Sequence, residues 1–214
     1  MQYLIIITSN PLNLKSQDWK QNGIGRFFSH NYGYGLINAG RLVELAKNWP
    51  RVTEQLTCEV YFLTLSTLYE RNPQEILTQK NILIKSNEAR IFSMFIVNRV
   101  NYGKQGTEFA DRCDSNLNYL EHVVSVISLS SGERGKLIIK LKSPANTTSN
   151  LHELRKFDNS SLGFNTWPFM SVHFWGEGLT GLWQLEVINL GKDDVVFKEW
   201  FLRFYGVEVK NNLL

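Results

Sequence analysis

The chain has 214 residues, 43% of them apolar and 20% charged, which suits a folded chain of one or two domains and excludes a disordered one. Its net charge of +3 is small, and no basic block interleaves with aromatics, so a nucleic-acid-binding surface is excluded. The longest apolar runs, Leu4 to Ile7 and Ile91 to Val97 with Ser93 between, fall well short of the roughly 20 residues of a spanning helix.

Met1 to Thr8 is apolar and reads either as the end of a helix or as a strand, stopped by Asn10-Pro11. It has neither the basic flank nor the small-residue cleavage site of a secretory signal. Leu12 to Ser29 is polar, carries Gly23 and Gly25, and is expected to be an extended loop. Gly33 and Gly35 then alternate with Tyr32 and Tyr34. From Asn38 the pattern turns helical: Ala39, Leu42, Val43, Leu45, Ala46 and Trp49 recur near a spacing of 3.6, with Asn38 as cap and Pro50 just beyond the end.

After Pro50 the period changes to two. Leu137, Ile139 and Leu141 alternate with more polar neighbours, as do Trp183, Leu185 and Val187, and Trp200, Leu202 and Phe204. Half-buried strands alternate in this way because successive side chains point to opposite faces. These residues are the expected core. Turn residues separate the runs at Ser131-Gly132, Ser143-Pro144, Asn159 to Gly163 and Leu190 to Asp193. The fold class is therefore mainly β, a sandwich or jelly roll, with a boundary near Trp49 to Thr53. Ile76 to Ile84 and Ile91 to Val97 are each candidate strands, and Asn98 to Arg112 reads as a surface loop.

Few residues offer chemistry. His30, His122, His152 and His173 are the candidate bases. His30 reads as packing, His122 and His173 as structural strand histidines, and His152 as exposed. No histidine pair or CxxC has zinc spacing. Glu177, Asp193 and Asp194 read as solvated carboxylates more readily than as a calcium site, which needs 6–8 converging oxygens. Cys58 and Cys113 read equally as a bridge or as two thiols. Asn146-Thr147-Thr148 and Asn159-Ser160-Ser161 are sequons, so Asn146 and Asn159 are candidate N-glycosylation sites, which favours an oxidising compartment.

Several ordered motifs go further. Ser29-His30-Asn31-Tyr32-Gly33-Tyr34-Gly35 resembles the "SHxYGYG" segment of furin/kexin-type proprotein convertases. Arg134 to Pro144 (RGKLIIKLKSP) is similar to the family's "RGDLxxxLxSP", Gly163 to Glu177 (GFNTWPFMSVHFWGE) to "GFxxWxFMxxHxWGE", and Gly181 to Val187 (GLWQLEV) to "GxWxLEV". Tyr119 to Leu129 and Lys198 to Gly206 resemble two further strands of the P (Homo B) domain.

The resemblance implies that residues 1–49 end a subtilisin-like α/β catalytic domain and that residues 50–209 form a P-domain β-sandwich, with 210–214 as a tail. It implies a disulfide between Cys58 and Cys113, around an insertion at residues 66–112. It also implies packing between the two parts through Tyr32, Tyr34, Trp167, Phe169 and Trp175. Intact family members are calcium-dependent serine endopeptidases of the secretory pathway that cleave precursors after paired basic residues. No Asp, His and Ser triad segment is recognised here, so no catalytic residue, metal or cofactor is assigned to this chain, and the expected partner is the catalytic domain of the same protease. The chain departs from the family at Lys136, where the family has the Asp of Arg-Gly-Asp. An alternative of another class is a free-standing sandwich that binds carbohydrate or protein through solvent-facing Trp167 and Trp175.

Overall fold

The computed structural model describes residues 1–50, 52–61, 81–96, 112–113 and 116–208. Most of the expected insertion at 66–112 and the tail at 210–214 lie outside the described residues.

The N-terminal unit begins with helix α1 (Gln2–Thr8), which buries Tyr3, Leu4, Ile6 and Thr8. Of the two readings left open for this segment, helix is the one adopted. The Thr8 hydroxyl donates back to the Leu4 carbonyl at 2.7 Å, and Ser9 turns to extended backbone. Asn10 then bridges to Leu36 through two backbone hydrogen bonds of 2.9 Å. Gly35 faces this bridge at φ 113, and a Cβ there would lie 2.4 Å from the Asn10 carbonyl carbon. Only glycine meets both demands.

The expected extended loop from Leu12 to Ser29 instead contains a small hairpin, β1 (Lys20–Gln21) and β2 (Phe27–Phe28). Its turn is closed by Gly25 N–H to the Asn22 carbonyl at 2.8 Å, with Gly25 at φ 79. The two-residue arms are too short to leave a periodic signal. Helix α2 (Ala39–Lys47) is capped as expected, the Asn38 side chain accepting from Arg41 N–H at 2.9 Å. Its apolar stripe is not a core stripe, however: none of its residues is buried, and Val43 is 58% exposed.

The remainder is a two-sheet sandwich of antiparallel strands. One sheet runs β10-β7-β12-β3-β6, with β4 also paired to β12; the other runs β5-β11-β8-β9. The strands are β3 (Leu56–Tyr61), β4 (Ile82–Ile84), β5 (Ala89–Ile96), β6 (Arg112–Cys113), β7 (Tyr119–Ser130), β8 (Leu137–Lys142), β9 (Thr148–His152), β10 (Phe164–Ser171), β11 (Gly181–Asn189) and β12 (Val195–Val207). The expected strand at Ile91 to Val97 is β5, which starts two residues earlier. The register sets Cys58 opposite Cys113.

One face of each sheet points inward. Leu137, Ile139, Leu141, Trp183, Leu185, Val187, Trp200, Leu202 and Phe204 are all fully buried in one cluster. The large rings interlock across the layers: Trp183 meets Phe174 and Phe204 at centroid distances of 5.1 Å, and Phe92 stacks on Phe197 at 3.9 Å. The two indoles of this cluster keep their N–H groups satisfied. Trp183 donates to the Leu179 carbonyl at 2.8 Å and Trp200 to the Ser125 hydroxyl at 3.0 Å. A buried aromatic of this kind contributes roughly 1.5–3 kcal/mol through its area alone.

Candidate interdomain interface

The N-terminal unit meets the sandwich at the end where β8 turns into β9 and β10 leaves its sheet. Two kinds of contact join them. The first is apolar: Tyr3, Ile6, Phe28 and Tyr34 from the N-terminal unit pack with Trp175, and Val172 and Trp49 lie against this cluster. Trp175 is wholly buried. Tyr3 meets its ring edge-on at 4.7 Å. Tyr34 donates its hydroxyl proton to the Val172 carbonyl, and burial pushes that phenol above the ordinary tyrosine range.

The second contact is polar and centres on Glu177, which is 1% exposed. Its carboxylate accepts from the Ser143 hydroxyl at 2.6 Å, from the Thr147 hydroxyl, and from Gly23 N–H of the N-terminal unit at 2.8 Å. Buried carboxylates persist only when donors replace the lost water, and these three do so. Beside it, the Asn22 side-chain amide donates to the carbonyls of His173 (3.1 Å) and Trp175 (2.9 Å), while its own carbonyl oxygen accepts from Ile24 and Arg26 N–H. Asn22 thereby ties the hairpin turn to the sandwich. Gly23 passes so close that a Cβ would sit 2.2 Å from the Ala145 Cβ.

A third layer contains His173, stacked on Phe28 at 4.3 Å and met edge-on by His30 at 4.6 Å. Its Nδ1 is 2.9 Å from the Ser149 hydroxyl. Burial, followed by the neighbouring His30 and Lys20, pulls His173 down to about 4. Asp18 holds the loop that carries His30. It accepts from the Ser16 and Ser29 hydroxyls and from His30 N–H at 2.8 Å, and these donors, Ser16 first, hold its carboxyl below the usual range.

Of the residues expected to pack between the two parts, Tyr34 and Trp175 meet here and three lie elsewhere. Tyr32 is 43% exposed and stacks on Trp19 within the N-terminal unit. Phe169 points into the sandwich core, opposite Ser125, because the pleat of β10 turns it inward. Trp167 is 47% exposed on that edge strand, just past a register shift between Phe164 and Trp167 that rotates the strand. His152, expected to be exposed, is buried at 2% with Nδ1 at 2.8 Å from the Leu137 carbonyl oxygen. Glu177 is likewise neither solvated nor grouped with Asp193 and Asp194. No group of metal-type ligands occurs among the described residues. Asn146 and Asn159 are both exposed, in the β8–β9 and β9–β10 connections.

Asn22, Gly23, Ser143, Thr147 and Tyr3 were not anticipated. Their roles come from long-range pairings, across 154 positions for Gly23 to Glu177 and across 34 and 30 for Ser143 and Thr147 to the same carboxylate, which local spacing does not encode.

Comparison with known proteins agrees with this architecture. Residues 120–204 match the family model described as "Proprotein convertase P-domain". The chain is 39% identical over 208 residues to Furin-like protease 1, isoform 1-CRR, of Drosophila melanogaster, covering 97% of this chain and 16% of that one. It carries a match to the convertase P domain and resembles furin-like proteases over most of its own length. Furin of Homo sapiens is 36% identical over 189 residues, covering 88% of this chain and 20% of furin. The chain thus spans only a sixth to a fifth of these relatives. The serine protease of Aeromonas sobria, solved with the chaperone ORF2, shares the fold with a TM-score of 0.68 at 17% identity, over 96% of this chain and 39% of that protease. In this chain the HFWGE segment (His173 to Glu177) is the part of the sandwich that grips the preceding unit.

Proposed function

We propose that this convertase-like chain is a docking and support module: its P domain grips a stub of protease fold and through it stabilises a catalytic module. The observation that carries this reading is the pair Trp175 and Glu177, both buried, one packed on Tyr3 and the other bonded to Gly23. A second observation supports it. The N-terminal unit presents apolar side chains to solvent, among them Leu36 (63% exposed), Ile37 (48%), Val43 (58%) and Phe27 (45%). These side chains would be covered by further protein in a longer chain, and the relatives have several times this chain's length. Binding that favours one folded state raises its stability by mass action.

On this reading the peptide-bond chemistry, a calcium-dependent cleavage of secretory precursors after paired basic residues, belongs to the catalytic partner. The site of action is the secretory pathway. The disulfide-bonded state of Cys58 and its register with Cys113 support a bridge between them, and the exposed Asn146 and Asn159 support glycosylation in the same compartment. A bridge over so long a loop contributes about 4 kcal/mol in the chain-entropy account.

The carbohydrate-binding alternative needs both Trp167 and Trp175 in solvent, and Trp175 is fully buried. The test is biochemical. The pure chain should not turn over a dibasic fluorogenic peptide, and it should co-purify with a convertase protease module that ends before the stub, raising its Tm. Turnover by the chain alone, or no association with that module, would contradict the proposal.

A further inference from the structure

The N-terminal unit contains an open cavity of about 410 Å3 whose lining includes Ile6, Ser9, Pro11, Arg26, Phe27 and Tyr34. Arg26 is its one charged lining residue. The guanidinium donates from Nη1 to the Ile6 carbonyl at 3.2 Å, and its Nε–H is buried with no acceptor. Arg26 forms no ion pair among the described residues. The surrounding groups do not supply a counter-charge. The Tyr34 hydroxyl proton is committed to Val172 and the Ser9 hydroxyl proton to Ile5.

A half-buried cation with an unmatched donor is costly, and a planar guanidinium is best satisfied by a carboxylate that takes two of its N–H groups at once. Phe27, beside Arg26 on the lining, is 45% exposed. The relatives have several times this chain's length, so a protein segment can both cover that ring and supply the carboxylate. Burial also pulls the Arg26 guanidinium down from its usual range, the direction that a missing anion leaves uncorrected.

We propose that this cavity is a socket for an aspartate or glutamate side chain of the protease module, with Arg26 as its ion-pair partner. This rests on the docking role argued above and adds to it a specific chemistry: the covering segment presents one carboxylate to Arg26. The same charge logic predicts what happens when the carboxylate is supplied from within. Ser9 lines the cavity at the C-cap of α1, a position where a helix end disfavours negative charge. Ser9→Asp therefore lowers stability if Arg26 is already satisfied and raises it if Arg26 lacks a partner.

The experiment uses the full chain. Sodium acetate should raise its Tm relative to sodium chloride of equal ionic strength. Ser9→Asp should raise Tm by about 2–4 °C and abolish the acetate response. Arg26→Gln should also abolish it. If Arg26→Gln does not fold, the Nε–H resonance of Arg26 in the wild-type chain serves instead, with a saturable shift on adding acetate. A lowered Tm for Ser9→Asp, an acetate response equal to that of chloride, or a larger response to phosphate than to acetate would overturn the proposal. A chain that docks the protease module while ignoring acetate sinks this inference alone. One that answers acetate but never docks sinks the docking role and, with it, the assignment of the carboxylate to the protease module, leaving Arg26 as a carboxylate site only.

Discussion

Two fully buried tryptophans, Trp183 in the sandwich and Trp175 at the junction, hold the molecule in different ways. Trp183 sits on β11 with Leu185 and Val187 on the same inward face, so its neighbours come from both sheets. Its loss would be felt by the whole sandwich. Trp175 lies in the turn after β10, outside any strand, and packs on Tyr3 from the first helix. Its loss would be felt by a joint. The lesson is that equal burial does not mean equal reach: a ring inside a hydrogen-bonded ladder is shared by many strands, whereas a ring at a seam serves the two parts that meet there.

The largest effect expected from this contrast is on Trp183. Trp183→Ala should lower the global stability of the chain by about 3–5 kcal/mol, the usual range for an aromatic removed from a packed core, read by urea unfolding. A loss below about 1 kcal/mol would place that ring at the surface energetically and dissolve the contrast.

That difference also decides what was readable beforehand. Leu137, Ile139 and Leu141 announce their strand by alternating with partners that face outward, because strand geometry imposes a period of two on any sheet with one wet face. Asn38 announces a helix start because a cap needs a side-chain acceptor at one position. Glu177 announces nothing. Its three donors, Ser143 and Thr147 from the β8–β9 connection and Gly23 from the N-terminal hairpin, lie far from it in the chain, and a carboxylate in a Gly-rich segment looks the same whether solvated or locked. The motifs around Trp175 pointed to an interface by family resemblance, yet the resemblance did not sort Trp175 from Trp167. The fold does so, through a register shift on an edge strand. Helix α2 misled in the opposite direction. Its apolar stripe is real, but no described residue of the chain buries it.

A smaller effect probes the junction by overfilling it. Gly23→Ala adds a methyl 2.2 Å from the Ala145 Cβ and 3.3 Å from the Glu177 carboxyl carbon. Overpacking of this kind costs about 1–3 kcal/mol. The loss should appear as faster cleavage of the N-terminal unit by added protease, with the sandwich intact. Unchanged cleavage would mean that the hairpin does not press on β8–β9.

A further effect is that of acid. His173 is buried between Phe28 and His30 from the N-terminal unit and Ser149 and Ser171 from the sandwich, with Lys20 and Asp18 as the nearby charges. Its folded value of about 4 lies below the ordinary 6.5. Between those values the unfolded chain binds more protons than the folded one, so stability rises with pH across that window and falls as acid is added. Below about 4 this group contributes no further slope. Melting curves from pH 7 to pH 4 should show the loss, and His173→Phe should remove that part of it. An unaltered slope in the variant would assign the acid sensitivity to other groups.

The central claim is that the sandwich grips the N-terminal unit through Trp175 and the Glu177 carboxylate. Hydrogen exchange on the wild-type chain and on Trp175→Ala tests it most directly. The account predicts that Asn22 and Gly25 N–H, bonded in the hairpin turn, exchange slowly in the wild type and at least tenfold faster in the variant, while the β7 and β12 amides keep their protection. Equal protection of Asn22 and Gly25 in both proteins, or loss of protection throughout β7 and β12, would contradict it.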